Sequence, residues 1–418
     1  MTDTLETLSR AELAALAREY LLAGHLIDRA GMPFVVAEFG RETMRDVAIE
    51  EWMSASPVYT RRMRRALRYD GDDVATIFKG MQLDIGAPPQ FMDFRYRVHD
   101  ATHGEFSLAW CGALMDVEPI GEEFVVTMCH HIEDPTFDAT ASATNPRARM
   151  RPVHRPPRIP DGRVPHCNWT VEIDPDAEPL HEPEGTTWLA TSRAANVSLA
   201  TPAETEPGGD TDYAGPFDPD LRLERFSRAT LVRVLDEVAL QGHLLARSFM
   251  RALERRYGTE VALRIGARQL TGVAGVVAKR LGRVLGTTGG IDDVVRVLEL
   301  HPALRPRAYV NATVDGPVVE IGASDALAEG DELTWPALLL RGETAALDAI
   351  VQAIDPRATC RRSKNSQQAS AAWFVRIEEN ALPASDSDEV RVTSFSKGVD
   401  FAFDAKEGSR TGSAKQAE

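Results

Sequence analysis

The feature that most constrains this chain is a repeat of itself. Leu8-Ser-Arg-Ala-Glu-Leu13 returns as Phe226-Ser-Arg-Ala-Thr-Leu231, and Gly24-His25-Leu26 as Gly242-His243-Leu244. Phe39-Gly40 returns as Tyr257-Gly258, and Arg61-Arg62-Met63 as Lys279-Arg280-Leu281, all at one offset of 218 with no gap. Residues 8–68 and 226–286 share 17 identities in 61 positions, where ordinary residue usage would supply about 4. With small gaps the match runs on: Asp72-Asp73-Val74 with Asp292-Asp293-Val294, Asn145-Pro-Arg-Ala148 with Asp355-Pro-Arg-Ala358, and Trp169 with Trp373. The expectation is a tandem duplication. Residues 8–177 are one copy, 178–225 a linker rich in Pro, Glu, Gly, Thr and Asp, 226–380 a second copy, and 381–418 a polar, mobile tail.

Local patterns place the elements. Ser9-Arg-Ala-Glu12 fits a capping box ahead of Leu13, Leu16, Tyr20 and Ile27 at helical spacing. Further helices are expected at about 40–53 and 57–67, and Asp72 or Asp73 can start a fourth. The period then drops to two. Phe91–Val98 and Glu105–Cys111 read as strands around an Asp100–Gly104 turn, with Arg307–Val314 and Val318–Ala323 as their counterparts. Phe124–Cys129 reads as a third strand, Asp134-Pro135 opens a helix, and strands follow near 147–154 and 166–174. The fold class is therefore α+β: in each copy, helices and then a mostly antiparallel sheet with one crossover helix.

Composition bounds the function. A net charge of −16 argues against a nucleic-acid partner. No apolar stretch approaches the roughly 20 residues of a membrane span, and the N-terminus lacks a secretory pattern, so a cytoplasmic location is expected. No glycine-rich element matches a phosphate loop or a dinucleotide fingerprint, so no nucleotide cofactor is implied.

Chemistry concentrates in the first copy, at Cys111, Cys129, His130, His131, His154, His166 and Cys167. At the matching positions of the second copy stand Ser324, approximately Leu340, and Ala371, while His154 falls near Lys364 or Asn365. Losing all three thiols together fits the loss of a shared site. Three readings stay open. Cys111, Cys129, Cys167 and His154 are a complete tetrahedral zinc set. Alternatively Cys129 or Cys111 is a nucleophile, with His130 as base, Glu133 or Asp134 orienting that base, and a helix N-terminus lowering the Cys129 pKa. Otherwise all three are core residues. Arg147 and Arg151 stand nearby as an anion clamp. His25 and His243 recur on an apolar helix and read as core histidines, Trp169 and Trp373 as core anchors, and Cys360 as packing. His99, His103 and Glu105 occupy a turn.

From Asn145-Pro-Arg-Ala-Arg-Met-Arg-Pro-Val-His154-Arg-Pro-Pro-Arg158, His166-Cys-Asn-Trp-Thr-Val-Glu-Ile173 and Phe39-Gly40-Arg41-Glu42, the chain resembles the L-2-amino-thiazoline-4-carboxylic acid hydrolase-like proteins and their uncharacterised relatives. The resemblance covers about 1–175 and, faintly, 226–380. It implies hydrolysis of a cyclic amidine or amide, a C–N or C–S bond, with Cys111, Cys129 and Cys167 at the site and His154 where relatives often carry another Cys. That exchange suits zinc better than an iron–sulfur cluster, which prefers four thiolates. The leading expectation is a small-molecule hydrolase with a Cys/His site, metal-bound or not. The alternative is a non-catalytic ligand-binding or scaffold protein with a structural Cys3His zinc site. The two copies are expected to pair with each other.

Overall fold

In the computed structural model, which describes residues 4–342, 344–363 and 371–394, the fold is α+β with two four-stranded antiparallel sheets. Helix α1 (Arg10–Leu67) opens with the capping box that Ser9 and Glu12 were expected to form. Asp73 caps α2 (Val74–Met81) by accepting from the Thr76 N–H at 2.8 Å. The first sheet holds β1 (Met92–Val98), β2 (His103–Cys111), β3 (Ala148–His154) and β4 (Cys167–Ile173) in the order β1-β2-β4-β3. Between β2 and β3 lie α3 (Gly112–Val117), α4 (Glu122–Val126), a π-helical turn (Thr127–Ile132) and α5 (Glu133–Ser142).

Two expectations are corrected here. Phe124–Cys129 is not a strand: it belongs to a helical run from Glu122 to Ser142, so Asp134-Pro135 lies inside helix rather than opening one. Nor do helices end near Met53 and begin at Pro57. Helix persists through Pro57, although proline removes the N–H that would bond the carbonyl four residues back. That carbonyl, of Met53, instead accepts the Thr186 hydroxyl at 2.8 Å. The break falls earlier, at Gly40, whose φ of 84° and ψ of 172° leave the helical region at a backbone angle that glycine tolerates best.

The segment that joins the halves is docked at two places rather than free throughout. It carries α6 (Glu184–Ala190) and α7 (Arg193–Asn196), with Leu189, Ala194 and Tyr213 buried. The C-terminal half then follows with α8 (Arg228–Tyr257), α9 (Thr259–Leu285), α10 (Ile291–Glu299), α11 (Arg307–Val310), β5 (Ala312–Asp315), β6 (Val318–Ile321), α12 (Trp335–Leu340), α13 (Ala345–Ile354), β7 (Ala358–Arg362) and β8 (Ala371–Ile377). Its sheet order is β5-β6-β8-β7, the order of the first. Arg307–Val310, expected as strand, is helical. The stretch read as a mobile tail contains α14 (Asp388–Ser394), whose Val390 and Thr393 are buried against α9 where Gly275 and Gly272 leave room. Residues 395–418 lie outside the described residues.

Among the described residues one helix, α9, is long and apolar enough to cross a membrane, contrary to the sequence reading, but 78% of its apolar window is buried inside the protein.

Contacts between the halves are reciprocal. Arg62 donates to both Glu237 carboxylate oxygens at 2.9 and 3.0 Å, and Arg280 donates to Glu19 at 3.0 Å. In each case the second pair lies 218 residues from the first. All four side chains are buried. Phe39 and its counterpart Tyr257 stack on each other, just before Gly40 and Gly258, which share φ of 84°. The straps α6 and α14 behave alike. α6 lies on α1 beside Ser54 and reaches α8, where the guanidinium groups of Arg247 and Arg251 sit over Trp188; α14 lies on α9 and reaches α1, where Arg29 Nε donates to the Thr393 carbonyl at 2.8 Å.

Candidate functional site

The three cysteines of the N-terminal half do come together. Cys111, Cys129 and Cys167 are all buried in one hydrophobic cluster with Phe106, Leu114 and Trp169. Cys129 sits in the π-helical turn, in the middle of a helical run rather than at its N-terminus, so no helix dipole is aimed at its sulfur. Burial pushes its thiol well up, and Glu133, Cys111 and Cys167 push the same way. Cys167, the first residue of β4, is raised chiefly by burial and next by Glu133. A thiol held protonated is a poor nucleophile.

The other expected residues are occupied or apart. His154 is half-buried at the end of β3, opposite Asn168. His130 Nε2 donates to the Pro156 carbonyl at 2.7 Å. Arg151 is engaged by Asp138 at 2.9 Å. Arg147 follows the Asn145 turn, its backbone N–H donating to Asn145 Oδ1 at 2.9 Å. Among the described residues, no three His, Cys, Asp or Glu side chains are grouped so as to hold a metal ion. Cys111 has a local task as well: its sulfur accepts the Leu114 N–H at 3.3 Å and caps α3, as Ser324 accepts from Leu327 at 3.4 Å in the C-terminal half. Beside it, the Cys111 N–H donates to His166 Nδ1 at 3.1 Å, which fixes that nitrogen as an acceptor.

A different site emerges next to this cluster. A cavity of about 640 Å³ lies between α1, the helical run over Glu122–Ser142, the start of the first sheet and Val392 of α14. Its volume is that of a small-molecule site. The run presents Phe124, Met128, Ile132, Thr136 and Thr140 to it, four residues apart and hence on one helical face. Most of the wall is apolar, yet four carboxyl groups enter it: Asp28, Asp84, Asp116 and Glu133. Arg29 is the lining guanidinium, and it is paired with Asp116.

Desolvation governs these groups, because an apolar wall penalises whichever form is charged. Asp28 is raised to about 7, against a hydrogen bond from Trp52 that opposes the shift. Glu133 is raised to about 8 by burial, in spite of Arg155. Asp84 rises to about 6, although Tyr59 donates to it at 2.8 Å and the Gly86 N–H at 2.6 Å. His25 is lowered to about 3 and is therefore neutral, with Nδ1 buried and without a hydrogen-bond partner. Behind Asp28, Glu51 is fully buried with neither carboxyl oxygen bonded, and its pKa is raised well above the usual range by burial and by Asp28.

Of the residues singled out from sequence for the site, Cys111 and Glu133, the latter expected to orient a base, line this cavity. His25, read as a core histidine, lines it too. Its counterpart His243 is satisfied instead, donating through Nε2 to the Arg305 carbonyl at 2.8 Å between Tyr309 and Trp335. Asp28, Glu51, Trp52 and Tyr59 were missed. The signal lay in the repeat: their counterparts are Ala246, Gln269, Leu270 and Val277, so both carboxyl groups and both aromatic rings are missing at the matching positions of the other half. Gln241 of the C-terminal half brackets Asp84, donating to the Leu83 carbonyl at 2.9 Å and accepting the Ile85 N–H at 3.1 Å. Both halves thus build the site.

No family model, no curated protein and no solved structure matches this chain.

Proposed function

We propose that the chain is a small-molecule hydrolase that works in the N-terminal cavity by general acid–base chemistry, and that its two halves arose by duplication, with the site retained in one. The observation that carries the functional reading is the set of carboxyl groups, Asp28 near 7 and Glu133 near 8, in the wall of an otherwise apolar 640 Å³ cavity. Catalytic acids and bases need pKa values near the working pH, and burial in such a pocket supplies them. Glu133 holds its proton at neutral pH and serves as the acid; Asp28, half-ionised there, takes a proton from water. Neutral His25 can accept or donate one hydrogen bond but is not the acid. Cys111 is the one sequence-derived thiol at the cavity, where its sulfur caps α3.

Hydrolysis of a C–N or C–S bond is what the sequence resemblance implies, and an acid and a base in the wall of one largely apolar cavity suit it. The duplication is supported by the reciprocal Arg62–Glu237 and Arg280–Glu19 pairs, since self-complementary contacts are the signature of two equivalent units around a two-fold axis.

A panel of amide, cyclic amidine and thioether substrates tests the reading against purified Asp28→Asn, Glu133→Gln, Cys111→Ser and Cys129→Ser variants. Turnover should fall at least about a hundredfold in Asp28→Asn and Glu133→Gln and persist in Cys129→Ser. Turnover lost in Cys129→Ser but kept in both carboxyl variants would return the site to the cysteine cluster. A zinc-bound Cys3His site would show instead as metal lost from Cys129→Ser and Cys167→Ser.

A further inference from the structure

The cavity's charge inventory is lopsided. Asp116 has Arg29 opposite it, and Arg29 also donates to the Thr393 carbonyl. Asp28, Asp84 and Glu133 face the same space with no lining cation left for them. Asp28 Oδ1 and Glu133 Oε2 are buried without a hydrogen-bond partner, as is Nδ1 of His25, a side chain only 9% exposed. A buried polar atom without a partner is costly, by more than an ordinary hydrogen bond contributes. Three such atoms around one cavity therefore mark a place where a ligand is to supply donors and positive charge.

The walls narrow the choice further. Trp52, Tyr59, Phe91, Phe94, Phe124 and Phe137 line the cavity. Aromatic faces attract cations, most strongly where water is excluded. An anion would meet three carboxyl groups and, as the one lining guanidinium, an Arg29 already engaged. A neutral apolar molecule would fill the space and leave the orphaned oxygens as they are. A bare metal ion would find aromatic walls and, among the described residues, no ligand set.

Resting on the reading of this cavity as the working site, we infer that its occupant is an organic cation: an ammonium group on an apolar, ring-bearing body, with the charge among Asp28, Asp84 and Glu133 and the body against the aromatic wall. Binding then supplies N–H donors to the orphaned oxygens and favours the carboxylate form of Asp28, while Glu133 keeps the proton that its role as acid requires. The same arrangement excludes free carboxylates and phosphates, so the specificity is one of sign as well as shape.

The test uses one body carrying three charges. Tryptamine, tryptophol and indolepropionate are titrated calorimetrically into the full-length protein at neutral pH. The amine should bind about tenfold or more tightly than the alcohol, and the carboxylate more weakly than either. The amine's advantage should vanish in the Asp28→Asn, Glu133→Gln double variant, where binding of the alcohol persists. Equal or tighter binding of the alcohol or the carboxylate to the unmodified protein would overturn the inference and leave the cavity as a binding site. Failure of all three to bind would overturn both.

Discussion

Phe39 and Tyr257 stack with ring centroids 3.9 Å apart and planes 10° from parallel, and they occupy equivalent positions 218 residues apart. Under the proposed duplication, this contact between residues related by the repeat lies on a local two-fold axis. On either side of that axis the buried pairs Arg62–Glu237 and Arg280–Glu19 tie the long helices together. Removing one partner strands a buried charge, which costs about 3–5 kcal/mol. Arg62→Ala and Arg280→Ala should therefore each lower the urea midpoint strongly and by comparable amounts. A large effect from one and none from the other would show that the two contacts are not equivalent.

Thr186 replaces a missing backbone donor. Its hydroxyl bonds the Met53 carbonyl that Pro57 leaves without an N–H, and the side chain is fully buried. Thr186→Val keeps the shape and orphans that carbonyl, so a loss of about 1–3 kcal/mol is expected in denaturant titration. Thr187 is exposed nearby on the same helix, and Thr187→Val should stay within about 0.5 kcal/mol.

Stability should carry the mark of Asp28. Its folded pKa of about 7 lies above the ordinary 3.8, so the folded state holds this proton more tightly than the unfolded chain. The stability tied to that proton is complete below about 3.8 and is lost as pH rises through about 7. Asn cannot ionise. The stability of Asp28→Asn relative to the unmodified protein should therefore improve with pH by up to about 1.4 kcal/mol per unit between those values and level off above. Thermal melts across that range would read it. A difference that stays flat with pH would mean that Asp28 is not held in its neutral form.

Much of the scaffold could be read from local sequence. The Ser9–Glu12 box, the Asp73 cap, the first hairpin and the Trp169 and Trp373 anchors depend on neighbours in sequence, and all stand where expected. The failures are tertiary. Phe124-Val-Val-Thr-Met-Cys129 has strand-forming residues, but Phe124, Met128 and Ile132 share a helical face because a cavity, not a sheet, is what they line. Pro57 looked like a boundary because Thr186, far along the chain, is invisible to a local reading. The cysteine differences between the halves lie next to the cavity, yet Ser324 caps its turn as Cys111 does. The differences that bear on the cavity were Asp28, Glu51, Trp52 and Tyr59, set on helix faces that otherwise read as core.

The two straps permit the most direct test of the central claim, that the working site is the carboxyl-bearing cavity. Val392, fifth residue of α14, lines the cavity beside Arg29; Trp188, fifth residue of α6, lies against Arg247, the counterpart of Arg29. Val392→Trp places an indole where the smaller side chain leaves space, and touches neither the cysteine cluster nor the sheet. Measured by tryptamine calorimetry and by turnover on the hydrolysis panel, with circular dichroism to verify folding, this variant should be folded and should lose binding and turnover together. A folded Val392→Trp protein with binding and turnover undiminished would contradict the account and move the site out of the cavity.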